Sequence, residues 1–171
     1  RKGVSHGGIH AQIKGINILV LHLYPQSYAP SGSTAANGDA YRLEEIQTYL
    51  DNTVRKYPDE KYWLMMGDFN SASPLDKNDL ASGSNINYQV HQTILDSGYR
   101  DPIREMNVNF VRSCPTVYGG WTGPTGSYKG SRIDFIYASG EAMRNMLNAQ
   151  ILMDDFTDNY SDHYPVTVTC R

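Results

Sequence analysis

The stretch YWLMMGDFN, residues 62–70, changes character abruptly in its middle. Residues 62–66 form a short apolar run, which reads as a buried strand. Gly67-Asp68-Phe69-Asn70 follows at once, placing a carboxylate and an amide at the strand's end. A buried carboxylate costs several kcal/mol unless it is paired or holds a cation. Taken alone, Asp68-Phe69-Asn70 reads equally well as a β-turn, because Asp and Asn favour turns.

Three more places repeat the pattern. Residues 16–23 (INILVLHL) form an apolar, β-branched-rich run between Gly15 and Pro25 and carry His22 near their end. Residues 131–139 (SRIDFIYAS) alternate, so that Ile133, Phe135 and Tyr137 are expected on one face and Arg132, Asp134 and Ile136 on the other. Asp162 and His163 precede a last alternating run, residues 164–170 (YPVTVTC), and residues 149–155 read as a further strand. Single bland readings exist for each: His22 as a hydrogen-bonded core histidine, Asp134 as an ion-pair partner of Arg132, Asp162-His163 as a solvated pair. A sequence that ends four strands in Asp, Asn and His is better read as gathering them in one cleft.

Two helices lie between these runs. Asp39 can cap the first, in which Leu43, Ile46, Leu50 and Val54 make one apolar stripe. Arg55 and Lys56 suit its last turn, and Pro58 stops it. The second covers residues 88–96, with Val90, Ile94 and Leu95 inward and Gly98 as its stop. Residues 26–38, 71–87 and the glycine-rich 115–130 read as loops. Trp121, Lys129 and Tyr24 are cleft candidates for which packing or surface roles compete. With strands outnumbering helices and no internal repeat or linker, the expectation is one mixed α/β domain built in layers.

A chain of 171 residues suits one domain, and its charged fraction of 19% suits a globular one. The net charge of -3 lacks the basic footprint of a dedicated nucleic-acid binder. It does not exclude phosphate chemistry, because a bound divalent cation reverses the local sign. Cys114 and Cys170 lack the short spacing of a thiolate metal site, so a disulfide and two free thiols both stand open. No apolar run approaches the roughly 20 residues of a membrane span, and no signal peptide is legible. The opening Arg1-Lys2-Gly3, without Met, reads as a processing boundary. The Tyr- and Asn-rich composition suits an exported protein.

The residue types fit one chemistry. Phosphate esters are anionic and resist attack by water. Carboxylates hold a hard cation that neutralises the phosphoryl oxygens. Histidine exchanges a proton near neutral pH, and asparagine donates a hydrogen bond without adding negative charge.

Four motifs carry a family resemblance. Gly67-Asp68-Phe69-Asn70-Ser71 resembles the G-D-F/L-N motif of the endonuclease/exonuclease/phosphatase superfamily. Residues 131–137 resemble its R-I-D-[FY]-I strand, and Ser161-Asp162-His163-Tyr164-Pro165-Val166 its S-D-H-x-P-V signature. Leu21-His22-Leu23 resembles its T-H-L strand end, with leucine in place of threonine. Arg42 and Gly98-Tyr99-Arg100-Asp101 also sit where the family has similar elements. The order agrees along the whole chain, and four such motifs in order are strong where one is weak.

The resemblance implies a DNase I-like four-layer sandwich, α+β, with two face-to-face sheets flanked by helices. It implies hydrolysis of a phosphate ester by in-line attack of water, with Mg²⁺ or Mn²⁺. Asp162 would be a metal ligand. His163 would be the general base or a phosphate-polarising group, oriented by Asp134. Asp68 would position the water, Asn70 would hold a phosphoryl oxygen, and His22 would assist. The substrate would be a small phosphate ester, a lipid headgroup or a nucleic acid.

The family's N-terminal half supplies an asparagine and a metal-binding glutamate that this chain lacks. Asp39, Glu44 and Glu45 fall in the helix after His22 and do not replace it. Residues 1–171 are therefore expected to be the C-terminal portion of one such domain, impaired as a hydrolase by itself and self-associating through an uncovered sheet. The competing reading is a non-catalytic binding or oligomerising module.

Overall fold

A computed structural model of the chain describes residues 3–80, 85–118 and 130–171. Strands β1 (Gly8–Ile13) and β2 (Ile16–His22) form an antiparallel hairpin, with Ile13 opposite Ile16. Its two-residue loop, Lys14-Gly15, has both φ angles positive, the turn geometry that matches strand twist. Helix α1 (Gly38–Asn52) then crosses to β3 (Trp63–Asp68), which lies parallel to β2. After α2 (Gln89–Asp96), β4 (Tyr99–Arg100) and α3 (Pro102–Met106), strand β5 (Asp134–Ser139) pairs antiparallel with β3 and β4. The sheet order is β1-β2-β3-β5-β4. Helix α4 (Gly140–Arg144), β6 (Met146–Ile151), α5 (Asp155–Tyr160) and β7 (Val166–Cys170) complete the chain, and β6 and β7 form a separate antiparallel pair. Among the described residues no helix is long and apolar enough to cross a membrane.

One face of the large sheet is covered from β2 to β5. Leu19 and Leu21 of β2, Met65 of β3, and Phe135 and Tyr137 of β5 pack against Ile46 and Leu50 of α1 and Val90 and Ile94 of α2. The opposite face is covered only in part, where Leu64, Ile136 and Ala138 meet Ala142, Met146, Val166 and Val168. Toward the hairpin it stays open: Ile9 is 66%, Ile13 55% and Val20 39% exposed.

The predicted strands and both helices are present, with several corrections: the strand expected over 149–155 is Met146–Ile151, and Asp155 begins α5. Strand β1 was not expected, although Ile9, Ala11 and Ile13 alternate with His10 and Gln12 ahead of the Lys14-Gly15 turn. Asn37, not Asp39, caps α1, its side chain accepting from the amide of Ala40. Helix α1 stops before Val54, and Arg55 and Lys56 lie in a short 3₁₀ turn. The two cysteines are free thiols. Trp121 and Lys129 lie outside the described residues.

Helix α1 also buries charge. Glu45 is fully buried and accepts from the Ser5 amide at 2.6 Å, the Ser5 hydroxyl at 2.7 Å and the Tyr24 amide at 2.7 Å. Arg42 donates to the carbonyls of Tyr24 and Gln26 and pairs with Asp39. These groups fasten the segments on either side of the hairpin, so Glu45 and Asp39 serve the fold.

Arg132 departs from its expected face. It is 1% exposed and turns to the core side, its guanidinium 4.3 Å from the Phe135 ring. It donates two bonds to Asp76, at 2.9 and 3.0 Å, and meets Asp101 at 2.7 Å. A planar fork between two carboxylates recovers in hydrogen bonds what desolvation costs. Asp134, freed of Arg132, is left for another partner.

Removing one member of a buried ion pair typically costs about 3–5 kcal/mol, because the other charge stays buried. Asp76→Ala should lower unfolding stability in urea by that order. A loss below about 1 kcal/mol, as for a surface pair, would show that the network does not hold the start of β5.

Candidate active site

The register of the sheet assembles the site. His22 lies opposite Asp68 across β2 and β3, and Asp68 lies opposite Asp134 across β3 and β5. Directly opposed residues point to the same face, so three strand ends bring one histidine and two carboxylates into a single row. Gly67 makes this row close-set. Its φ is +138°, and an added Cβ would stand 1.8 Å from the Leu21 carbonyl oxygen. No other residue fits there without moving a strand.

His163 joins the row from the turn between α5 and β7, its Nδ1 2.9 Å from the Asp134 carboxylate. His22 Nε2 is 3.6 Å from Asp68 Oδ2 and is the more exposed end of the row. On its other side the His6 ring stacks on it, with centroids 4.3 Å apart. Asn70 has a positive φ of 46°, its amide donates to Asp68 Oδ1 at 2.7 Å, and its side chain donates to the Leu23 carbonyl at 3.0 Å. Asp162 is exposed, and its carbonyl accepts from the Thr116 amide. A cleft of about 370 Å³ runs from the row along Val20, Met66, Ile136 and Pro165.

The electrostatics follow from crowding. Burial, and then the neighbouring Asp134, raise the pKa of Asp68. The hydrogen bond to Asp134 raises that of His163 to about 11, with the nearby Cys114 thiol adding to it. His163 is therefore an imidazolium at neutral pH when only protein groups surround it. Asp68, Asp134 and His163 offer ligand atoms that all lie within 4.8 Å of one another. Two carboxylates facing each other, one of them resisting ionisation, fit a hard cation, which prefers oxygen ligands. Asp162 is not in that group.

Sequence reasoning missed three contributors. Ser113 and Thr116 bind the backbone on which Asp134 and His163 stand, and no motif marks them. His91 is fully buried between Tyr137 and Ser71, and burial lowers its pKa to about 3, so it is a neutral hydrogen-bonding post behind β5. Its place in the apolar stripe of α2, between two buried neighbours, was the available signal.

The Endonuclease/Exonuclease/phosphatase family model matches residues 2–163. Among solved structures, the chain is similar to a 3'-5' exonuclease (NExo) from Neisseria meningitidis, with a TM-score of 0.68 at 18% identity. It is similar to an AP endonuclease from Archaeoglobus fulgidus, with 0.68 at 22% identity. In both cases 95% of this chain aligns with 64% of the other, so the chain spans about 64% of their length. A 3' phosphatase NExo variant from Neisseria, bound to a product DNA hairpin, gives 0.69 at 19% identity, covering 96% of this chain and 64% of that one. At these identities the likeness establishes the fold, which is DNase I-like. No curated protein matches the sequence.

Because the folded pKa of His163 is raised, its charge pair with Asp134 adds full stability below the ordinary value of about 6.5 and loses it as pH rises toward about 11. Nitrogen NMR of the metal-free chain should find both His163 ring nitrogens protonated at pH about 8, and Asp134→Asn should return the midpoint toward about 6.5. A wild-type midpoint already near 6.5 would mean that Asp134 does not hold the imidazolium.

Proposed function

The chain belongs to the endonuclease/exonuclease/phosphatase family of metal-dependent phosphoesterases, and we propose that it carries most of a catalytic site for hydrolysing a phosphate ester. The observation that supports this most is the row His22–Asp68–Asp134, closed by His163 at 2.9 Å from Asp134. The facing carboxylates of Asp68 and Asp134 support binding of Mg²⁺ or Mn²⁺, and Asp162 is the further ligand that the resemblance implies. When bound, such a cation neutralises charge on the phosphoryl oxygens.

The protein's own groups divide the remaining work. His163, held as a cation by Asp134, donates to a phosphoryl oxygen and stabilises charge there. The resemblance implies either this role or that of general base for His163, and the bond to Asp134 at 2.9 Å orients the ring for both. Asp68, made more basic by burial and by Asp134, orients the attacking water and draws on its proton. Asn70, whose side chain already gives one hydrogen to Leu23, has its second for a phosphoryl oxygen. His22 assists at the open end of the row. Attack is in line, with inversion at phosphorus.

The substrate is a phosphate ester: a small molecule, a lipid headgroup or a nucleic acid. The DNA hairpin held by the Neisseria relative supports the last class, and the net charge of -3 supports the first two.

The open face formed by Ile9, Ile13 and Val20 supports a second sheet packed on it, as in a four-layer sandwich. For this chain by itself, a second copy paired about a two-fold axis is the occupant. The same face favours the competing reading, in which the chain serves as a non-catalytic oligomerising module.

His163→Ala should lower turnover about 10²–10⁴-fold with Mg²⁺ present and leave the fold intact. Unchanged turnover at saturating metal and substrate would remove His163 from the mechanism. Mass measurement in solution should give a dimer. A monomer at high concentration with full turnover would refute the pairing, and a dimer inert toward small esters, lipids and DNA alike would favour the module.

A further inference from the structure

Asp134 and His163 are 29 residues apart, Asp134 at the start of β5 and His163 in the turn before β7, and among the described residues no strand pairing joins them. Their contact needs a third party to fix the backbone on both sides. The segment at residues 113–116 has that position. Ser113 is fully buried, with an exposure of 0%. Its hydroxyl oxygen accepts from the amide of Ile133 at 3.0 Å and from that of Asp134 at 3.1 Å. Its carbonyl accepts from the Tyr164 amide at 2.7 Å, and its own amide donates to the Ser131 carbonyl at 2.9 Å. One residue thus holds the backbone of Asp134 through its side chain and the residue after His163 through its main chain.

The neighbours extend the tie. The Cys114 amide donates to Ser131 and its carbonyl accepts from Ser131. The Thr116 amide donates to the Asp162 carbonyl at 3.1 Å, and its hydroxyl donates to the Ser161 carbonyl. Both residues on the N-terminal side of His163 and the one that follows are therefore bonded to this segment, and Asp134 is bonded to the same four-residue span.

We propose that Ser113 is a positioning residue for the reaction: its hydroxyl sets the height of Asp134 against His163, and Thr116 sets the other side. This rests on the phosphoesterase reading above for its effect on turnover, but the hydrogen bond it controls can be read without any substrate. Ser113 is fully buried, so its loss acts through the placement of Asp134 and His163. A misplacement of about 1 Å can cost on the order of 10²-fold in rate. Substrate binding, which depends on groups left in place, stays nearly constant.

The test uses the full chain and two readouts. One is the low-field proton resonance of His163 Nδ1–H in the metal-free protein, which reports the bond to Asp134. The other is the split of kcat and KM on a chromogenic phosphodiester with Mg²⁺. Ser113→Ala should broaden or lose the resonance and lower kcat about 10- to 100-fold with KM within twofold, and Ser113→Thr, which keeps the γ-oxygen, should recover both. Ser113→Ala with the resonance intact and kcat within twofold of wild type would overturn the proposal. If Ser113→Ala does not fold, Thr116→Val takes its place, since it removes only the hydroxyl tie to Ser161. An unmoved resonance and kcat in that variant would overturn the proposal equally. Absence of metal-dependent turnover in the wild-type chain and also in the chain extended upstream would sink the phosphoesterase reading, while the resonance would still decide the role of Ser113.

Discussion

Two carboxylates, Asp68 and Asp134, stand opposite each other across an antiparallel ladder, a placement that favours the neutral form of at least one unless positive charge lies near. Much of the molecule is arranged around this repulsion. The imidazolium of His163 answers Asp134 from one side, and His22 approaches Asp68 from the other. What remains in excess is negative, oxygen-rich and open to a cleft. That is the condition under which a hard divalent cation and an anionic ester share one site. Without Gly67 the row would not close up, because any side chain there would separate β2 from β3 at the level of the carboxylates.

The residues of this row were legible in the sequence because the chemistry forces a local contradiction. Apolar runs that end in Asp, Asn and His break the expected pattern of a buried strand, and the contradiction is visible without coordinates. The strand register then follows from the alternation, which puts Asp134 on the face opposite Phe135 and Tyr137. Arg132 shows the limit of that reasoning. Alternation assigns it to the Asp134 face, but it lies just before β5, where the chain is no longer held to the pleat. Its guanidinium is drawn to two buried carboxylates, Asp76 and Asp101, that are remote in sequence. Strand β1 was legible and missed: Ile9, Ala11 and Ile13 alternate with His10 and Gln12, and the Lys14-Gly15 turn joins that run to β2. Ser113 was out of reach altogether, because a serine that accepts backbone amides leaves no trace in spacing or composition.

The distribution of buried polar groups separates those spent on the fold from those left open at the cleft. Glu45, Arg42, Arg132, Asp76, Asp101 and His91 are each buried and engaged with protein partners. His22, Asp68, Asn70, Asp134, Asp162 and His163 all keep some exposure. Their hydrogen-bonding capacity is only partly used by the protein, which leaves donors and acceptors for a substrate.

The two faces of the large sheet differ for a reason that bears on the site. The face toward α1 and α2 carries the densest packing, and its rigidity passes directly to the strand ends, since Leu21 and Phe69 bracket the row and are themselves buried. The other face carries the row itself and beside it the open patch of Ile9, Ile13 and Val20. A chemical site must lie on a face that a substrate can reach, so that face cannot be closed by helices. Any partner sheet that covers the apolar patch therefore ends at the edge of the site and becomes one wall of the cleft. Val20 lines the cleft and belongs to the patch at once. The apolar patch and the cleft meet at that residue, so whatever packs on the sheet also shapes the entrance to the cleft.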